Sequence, residues 1–348
     1  MSQTLRVGIV GVGGVGHRHI DGAVAAPNVT LAALCDPLGK KALENRAALD
    51  AHYHAGYADI QIPDVPVFTD YREMLRHADI DAVVIASPDA THCAYTVEAF
   101  RAGYHVLCEK PLAFTNEEAA AMVHAARQYH RRFFVGQVCR FSPAFRKAKQ
   151  LLQSGSIGTL FCLETQYVHG CHADLPADDW RRLPPRHATA CGGCHAFDLV
   201  RYFAGEPNAV FSIGNRFCRT DWEVEDCSET LLKLQSGAIA RVLTTIGCEA
   251  EYSMRTVLYG TAGTITANNT ADTVTLFTKQ AGTVPYPVDV ITHNTTLQLQ
   301  RMAEAILFGA EVEHEGLEGA KSLFVCNAAI ASQENGGCRT PVDYSLLA

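Results

Sequence analysis

The chain has no apolar run approaching the length of a bilayer-spanning helix, so a helical membrane protein is not the expected class. It has no surplus of positive charge either. Its formal charge of −8 argues against nucleic acid or an anionic membrane as the main partner. No leader separates the start from the first strand-like run, because Met1-Ser2-Gln3-Thr4 leads straight into it; no secretory signal is expected. Internal repeats and low-complexity tracts are absent. What remains is ordinary for a soluble globular protein: 348 residues, 48% hydrophobic and 19% charged, enough for two domains with a sizeable core. Cysteine, by contrast, is plentiful and odd in number, at thirteen. Without an export signal these read as reduced thiols in the cytoplasm rather than a disulfide framework. Cys35, Cys93, Cys108, Cys139 and Cys162 lie in apolar surroundings and read as small core residues.

The stretch 5–36 organises the first half. Leu5-Arg6-Val7-Gly8-Ile9-Val10 reads as a buried strand and runs into Gly11-Val12-Gly13-Gly14-Val15-Gly16. A helix is expected over about 15–26, then a second apolar strand over 29–35 ending in Asp36. Gly-x-Gly-x-x-Gly in this setting has a mechanism. Gly11 allows the tight turn, Gly13 lets a pyrophosphate approach the backbone, and Gly16 lets helix and strand pack closely. The helix start offers N–H groups and a partial positive charge to phosphates. Asp36, twenty residues past Gly16, stands where a carboxylate accepts bonds from ribose hydroxyls. The cofactor expected is therefore NAD. A carboxylate repels the extra phosphate of NADP, and Pro37 and Leu38, not an arginine, follow it.

Strand and helix patterns then alternate: a helix at 39–50, a short strand at 67–68, a helix at 71–77, and strands at 81–86, 105–108 and 133–136 separated by helices. Such alternation means right-handed crossovers and a parallel sheet. Ligands of such sheets bind beyond the C-terminal strand ends. The segments 11–16, 87–92 and 109–111 should therefore converge. After Ser142 the pattern changes. A helix at 143–153 precedes strand-like runs at 160–167, 210–217, 229–234, 238–246, 255–259, 264–267 and 273–277, with one helix at 191–203 among them. Consecutive strands with short turns mean an antiparallel sheet. Helices at 296–308 and 316–333 close the chain. The expected fold is an α/β Rossmann domain over 1–138, followed over 139–348 by an α+β domain with a large open, mainly antiparallel sheet.

The glycine triplet, Ala86-Ser87-Pro88-x-x-x-His92 and Glu109-Lys110-Pro111, at this spacing, resemble the Gfo/Idh/MocA oxidoreductases. These include glucose–fructose oxidoreductase and inositol dehydrogenase. Matching stretches continue through Arg140-Phe141-Ser142-Pro143, Trp180-Arg181, Gly193-Cys194-His195-Ala196-Phe197-Asp198 and Tyr259-Gly260-Thr261-Ala262-Gly263, so the likeness spans essentially the whole chain. It implies NAD bound by the loop 11–16, Asp36, Ser87, Pro88, His92, Glu109 and Lys110. It also implies a homodimer or homotetramer built on the outer face of the second domain's sheet.

The chemistry expected of the residues follows. Lys110, between a buried strand and a proline, is either simply exposed or set to stabilise a developing alkoxide; the resemblance favours the second. His195 and Asp198 are three apart on one helix and share a face. The resemblance makes His195 the general acid/base, a role suited to neutral imidazole. Asp198 is either a group behind it or a buried hydrogen-bonded acid. The chain departs from the inositol dehydrogenase pattern four residues earlier, where Cys191 replaces an aspartate. A thiol is a weak hydrogen-bond partner for an imidazolium, and Asp174, Asp178 or Asp179 are candidate replacements. Cys191-Gly192-Gly193-Cys194-His195 also spells the haem-attachment string, and His169, Cys171, His172 and His187 lie close in sequence. No second cysteine pair completes a zinc set, so no metal is expected. The loop 169–186 is polar and reads as part of the substrate pocket. Trp180 offers an apolar face to sugar C–H groups and Arg181 a fork of donors; alternatively Trp180 packs under the loop and Arg181 pairs with a nearby acid. Substrate-contact candidates are Arg140, His169, Asp178, Trp180, Arg181 and His195. The expected activity is NAD-dependent oxidation of a secondary alcohol of a sugar, inositol or related polyol. The alternatives are an NAD-retaining lyase or glycosidase that uses transient oxidation, and a non-catalytic sensor on the same fold.

Overall fold

A computed structural model describes residues 4–53, 60–170, 181 and 184–348. These form two compact units: one of residues 1–138, 294–320 and 347, the other of 139–293, 321–346 and 348. The first unit opens with β1 (Leu5–Val10), α1 (Gly14–Ala25) and β2 (Val29–Cys35). It continues through α2 (Lys41–Glu44), α3 (Arg46–Tyr53), β3 (Val67–Phe68), α4 (Tyr71–His77) and β4 (Ala82–Ile85). Then come α5 (His92–Arg101), β5 (His105–Cys108), α6 (Asn116–Gln128) and β6 (Phe133–Val135). The six strands pair in the order β3-β2-β1-β4-β5-β6, every pair parallel. β4 is buried along its whole length and β5 over its last three residues, as expected of a parallel sheet covered on both faces. The helices α4 and α6 start at side-chain caps. Asp70 accepts the Glu73 N–H at 2.9 Å, and Thr115 and Glu118 form a capping box on α6. The single helix expected over 39–50 is two, interrupted at Asn45; asparagine competes for backbone hydrogen bonds and is a poor helix-interior residue.

In the second unit, α7 (Pro143–Gln153) starts with proline at its first position. It leads to β7 (Leu160–Val168), α8 (Ala188–Cys191) and α9 (Cys194–Ala204). Strands follow: β8 (Pro207–Asn215), β9 (Cys227–Leu234), β10 (Ile239–Thr245), β11 (Thr256–Gly260), β12 (Thr264–Ala267), β13 (Thr273–Thr278) and β14 (Gly282–Pro287). After α10 (Thr295–Phe308), a helix of the first unit, α11 (Gly316–Glu334) leads to the short β15 (Thr340–Pro341). The nine strands run β14-β13-β12-β11-β7-β10-β9-β8-β15. All pairs are antiparallel except β7 with β10, so the sheet is mixed but mainly antiparallel. β14 escapes a sequence reading because Pro285 and Pro287 disfavour a strand; both sit at the sheet edge, where a missing N–H is tolerated. The helix expected over 191–203 is split by Gly192 and Gly193. A Cβ on Gly192 would lie 2.5 Å from the Tyr167 ring, and one on Gly193 2.4 Å from Thr244 Oγ1. The two glycines let the α8–α9 junction press against the sheet.

The sequence expectation divides the chain once, near residue 138. The structure places α10 with the first unit, where it packs on α1. That contact is close: a Cβ on Gly22 of α1 would stand 2.9 Å from Thr295, and Thr295 Oγ1 donates to the Arg18 carbonyl at 2.8 Å. Among the described residues, no helix is long and apolar enough to cross a membrane.

Candidate active site

The order of the first sheet reverses between β1 and β4, and the loops leaving these two strands flank that switch point. Gly11 leaves β1 with φ +87°, and a Cβ there would stand 2.6 Å from the Ala86 carbonyl oxygen that ends β4. Glycine is required for both reasons. A Cβ on Gly16 would stand 2.0 Å from the Gly11 oxygen, so helix and turn touch. Gly13 differs: nothing lies within 4 Å of a Cβ built there. The chain itself leaves that space open, as a cradle for a pyrophosphate needs. Gly14 and Val15 open α1 beside it, Val15 41% exposed. Asp36 is fixed from both sides. Its Oδ2 accepts the Val12 N–H and its Oδ1 the Leu38 N–H, each at 2.9 Å. The carboxylate is thereby tied to the glycine loop at the position where ribose hydroxyls are bound. These residues fit a dinucleotide.

Beyond β4, the Ser87 hydroxyl lies 2.6 Å from that of Thr91, and Pro88 is exposed. His92 is buried and turned inward, with Nδ1 2.8 Å from the Pro111 carbonyl and Nε2 3.0 Å from the Ser87 carbonyl. Beyond β5, Glu109 is buried. Its Oε1 lies 2.8 Å from His19 Nε2 and its Oε2 accepts the Lys110 N–H at 3.0 Å. Burial pushes this carboxyl up, but the His19 bond and charge, and then Lys110, hold it below the usual range. Lys110 is half-buried and precedes Pro111 through a cis peptide bond. The first unit thus brings Gly11, Gly13, Gly16, Asp36, Ser87, Glu109 and Lys110 to one edge of its sheet.

In the second unit His195 lies in the first turn of α9, 1% exposed. Its ring stacks on Tyr167 at 6.1 Å and meets His293 edge-on at 6.4 Å. Tyr252 closes the group, 5.8 Å from His293 and 4.6 Å from His169. Tyr167 Oη lies 3.1 Å from His169 Nδ1. Of these, Tyr167, Tyr252 and His293 carry no motif in the sequence; the alternation along β7 is a signal that could have found Tyr167. Cys191 is buried, and its carbonyl accepts from the Cys194 thiol at 3.5 Å. No disulfide joins the described cysteines. Among the described residues no group of three or more histidines, cysteines and acids is placed to hold a metal ion.

Arg140 and Asp198 lie in the same unit and bind each other, Nε to Oδ2 at 2.7 Å and Nη2 to Oδ1 at 2.6 Å. His187, at the exit of the preceding loop, places Nδ1 2.6 Å from Glu225 Oε2. Burial lowers its basicity, but Glu225 more than offsets this and raises it above the ordinary value. Arg181 is half-buried. Cys171, His172, Asp174, Asp178, Asp179 and Trp180 lie outside the described residues.

Comparison with known proteins gives two family matches. Residues 5–137 match the profile described as an oxidoreductase family with an NAD-binding Rossmann fold, and residues 145–266 match the GFO/IDH/MocA C-terminal domain. The chain is 28% identical to inositol 2-dehydrogenase 1 of Saccharopolyspora erythraea, over 99% of this chain and 97% of that one. It is 27% identical to levoglucosan dehydrogenase of Pseudarthrobacter phenanthrenivorans, over 76% and 74% of the two chains. Among solved structures, a levoglucosan dehydrogenase in complex with NADH and L-sorbose superposes with a TM-score of 0.85. It has 22% identity and covers 98% of this chain and 99% of its own.

Proposed function

The chain belongs to the Gfo/Idh/MocA oxidoreductases with an NAD-binding Rossmann fold, and from that premise we propose that it oxidises a secondary alcohol of a sugar, inositol or related polyol. The observation that carries the reading is Lys110, at the end of β5, on the same sheet edge as the open glycine cradle and the fixed Asp36 carboxylate. The inositol and levoglucosan dehydrogenases named above support the substrate class.

NAD, when bound, supplies the hydride acceptor at the nicotinamide ring. The chain supplies the rest. Gly13 admits the pyrophosphate and Asp36 accepts from the adenosine ribose. The Lys110 ammonium donates to the alcohol oxygen and stabilises its developing negative charge. His195 takes the hydroxyl proton on an imidazole nitrogen. The polar and aromatic surroundings of His195 (His169, Tyr252 and His293) suit a polyhydroxylated ligand. Arg181, with Asp178 and Trp180, remains a candidate contact.

We assign the outer face of the second sheet to self-association. Phe211, Ile213, Leu231, Ile239 and Phe277 are each between 41% and 66% exposed. An apolar surface of this extent on an open sheet suits a homodimer or homotetramer. The abundant thiols suit the reducing cytoplasm.

The test is NADH formation with a panel of polyols and sugars, on the unmutated protein and Lys110→Ala. Net NADH with a secondary alcohol, reduced about a hundredfold in the variant, supports the proposal. Product without net NADH would make it a lyase or glycosidase, and binding without turnover a sensor.

A further inference from the structure

Lys110 is flanked on both sides by groups tied to buried histidines. On its N-terminal side stands Glu109. One oxygen accepts the Lys110 N–H at 3.0 Å and the other faces His19 Nε2 at 2.8 Å. A Cβ on Gly136 would lie 2.5 Å from that carboxyl group, so glycine at 136 makes room for it. On the C-terminal side stands the Pro111 carbonyl, 2.8 Å from His92 Nδ1, while His92 Nε2 reaches the Ser87 carbonyl at 3.0 Å. A carbonyl oxygen only accepts, so both bonds together require a ring with two N–H groups, the imidazolium. Burial opposes that charge. The Cys108 sulfur, the Asp89 carboxylate and the Pro111 carbonyl outweigh it and push His92 up to about 10.

His19 and His92 are 0% and 1% exposed. Sealed within the protein, they act only through what they hold. His19 is kept at a cost, for its Nδ1 has no partner among the described residues, and a buried orphan of this kind calls for an explanation.

Resting on the dehydrogenase reading, we propose that His19 and His92 are positioning residues for Lys110, His19 acting through the Glu109 carboxylate and His92 through the Pro111 carbonyl. The link between Glu109 and Lys110 is also electrostatic. Lys110 is one of the charges that hold the Glu109 carboxyl low, and the attraction is mutual, so the carboxylate favours the Lys110 ammonium. Among the described residues, the titratable groups that act on Glu109 are His19 from α1 and Lys110, and those that act on His92 of α5 are Asp89 from the turn before it and Cys108 at the end of β5. The arrangement gives the alcohol oxygen a cation that is both held in place and kept charged.

The test is an NMR pH titration of the full-length apo protein with 13C-dimethylated lysines, Lys110→Arg identifying the Lys110 signal. Glu109→Gln should lower the Lys110 pKa by about one unit or more; an unchanged titration overturns the electrostatic link. With whichever polyol is active, His19→Leu should reduce kcat about tenfold or more while NADH affinity changes little. His19→Gln, which keeps a donor toward Glu109, should recover most of that loss. Equal rates in the leucine and glutamine variants overturn the positioning role of His19, and do so even if Glu109→Gln fails to fold. If no polyol is oxidised by the unmutated protein, the functional reading fails, but the titration still reads the coupling.

Discussion

Arg140 and Asp198 are each other's partner. The guanidinium grips the carboxylate with two bonds, at 2.7 and 2.6 Å, and the side chains are 5% and 1% exposed. Ser322 Oγ donates to the same carboxylate at 2.8 Å, and Arg201 stands 3.9 Å away. Although Asp198 follows His195 by one helical turn, its charge is spent on a buried ion pair. Asp198→Ala leaves buried cations without their acid, and breaking such a pair costs about 3–5 kcal/mol. The expected result is a large loss of thermal stability, with kcat per folded molecule changed little at a temperature where the variant is folded. A variant that melts normally but loses turnover would instead put Asp198 in the chemistry.

Asp36 has two duties, and its replacement should show both. Its oxygens accept the Val12 and Leu38 N–H groups, and its charge disfavours a 2′-phosphate. NAD should therefore be strongly preferred over NADP in kcat/KM. Asp36→Ser should narrow the gap by improving NADP and weakening NAD together, since the glycine loop loses an anchor. Equal efficiency with both cofactors in the unmutated protein would remove Asp36 from the discrimination.

Glu206 makes the second unit acid-sensitive. Burial raises its pKa, but two bonds from Arg201 at 2.8 and 2.7 Å, Lys321 at 3.4 Å and the Tyr344 hydroxyl at 3.0 Å bring it down to about 2. A carboxyl depressed in the folded state adds stability that is fully present above its unfolded pKa of about 4.3. That stability falls away as pH drops toward 2. Denaturant midpoints measured from pH 5 to pH 2.5 should decline less steeply for Glu206→Gln than for the unmutated chain. Parallel slopes would show that Glu206 does not drive the acid loss.

The local part of this structure was legible in the sequence, and the non-local part was not. Gly11, Gly13 and Gly16 each have a steric or spatial reason that their spacing already implied, and Asp36 stands where the end of an apolar strand put it. The roles of Arg140 and Asp198 were less clear, because 58 residues separate them and nothing in either segment names the other. His19 carries no signal in the sequence for a related reason. Its partner Glu109 lies 90 residues on, and a histidine on an amphipathic helix carries no mark of what its ring will meet. The return of α10 to the first unit sets Thr295 against Gly22 and buries Leu299, Met302 and Ala303 in the core with β1 and β2; periodicity marks the apolar face of such a helix but not which core receives it.

Cys191 is where the chemistry of this chain should differ from that of relatives with an aspartate at the same place. It is buried, and a thiol gives little support to an imidazolium. Among the described residues, His195 meets the face of Tyr167 at 6.1 Å and the ring of His293 at 6.4 Å. A carboxylate at position 191 would favour the protonated form of His195. In a pH profile of kcat/KM for alcohol oxidation, the acid limb should lie lower than in Cys191→Asp, where the added charge should raise the apparent pKa. His195→Asn should abolish both that limb and most of the rate. Comparing the three proteins on one substrate decides the assignment. If Cys191→Asp leaves the limb in place while His195→Asn removes it, His195 is the base but position 191 does not tune it. If His195→Asn keeps both rate and limb, the base lies elsewhere, and Asp174, Asp178 and Asp179 are the next residues to replace.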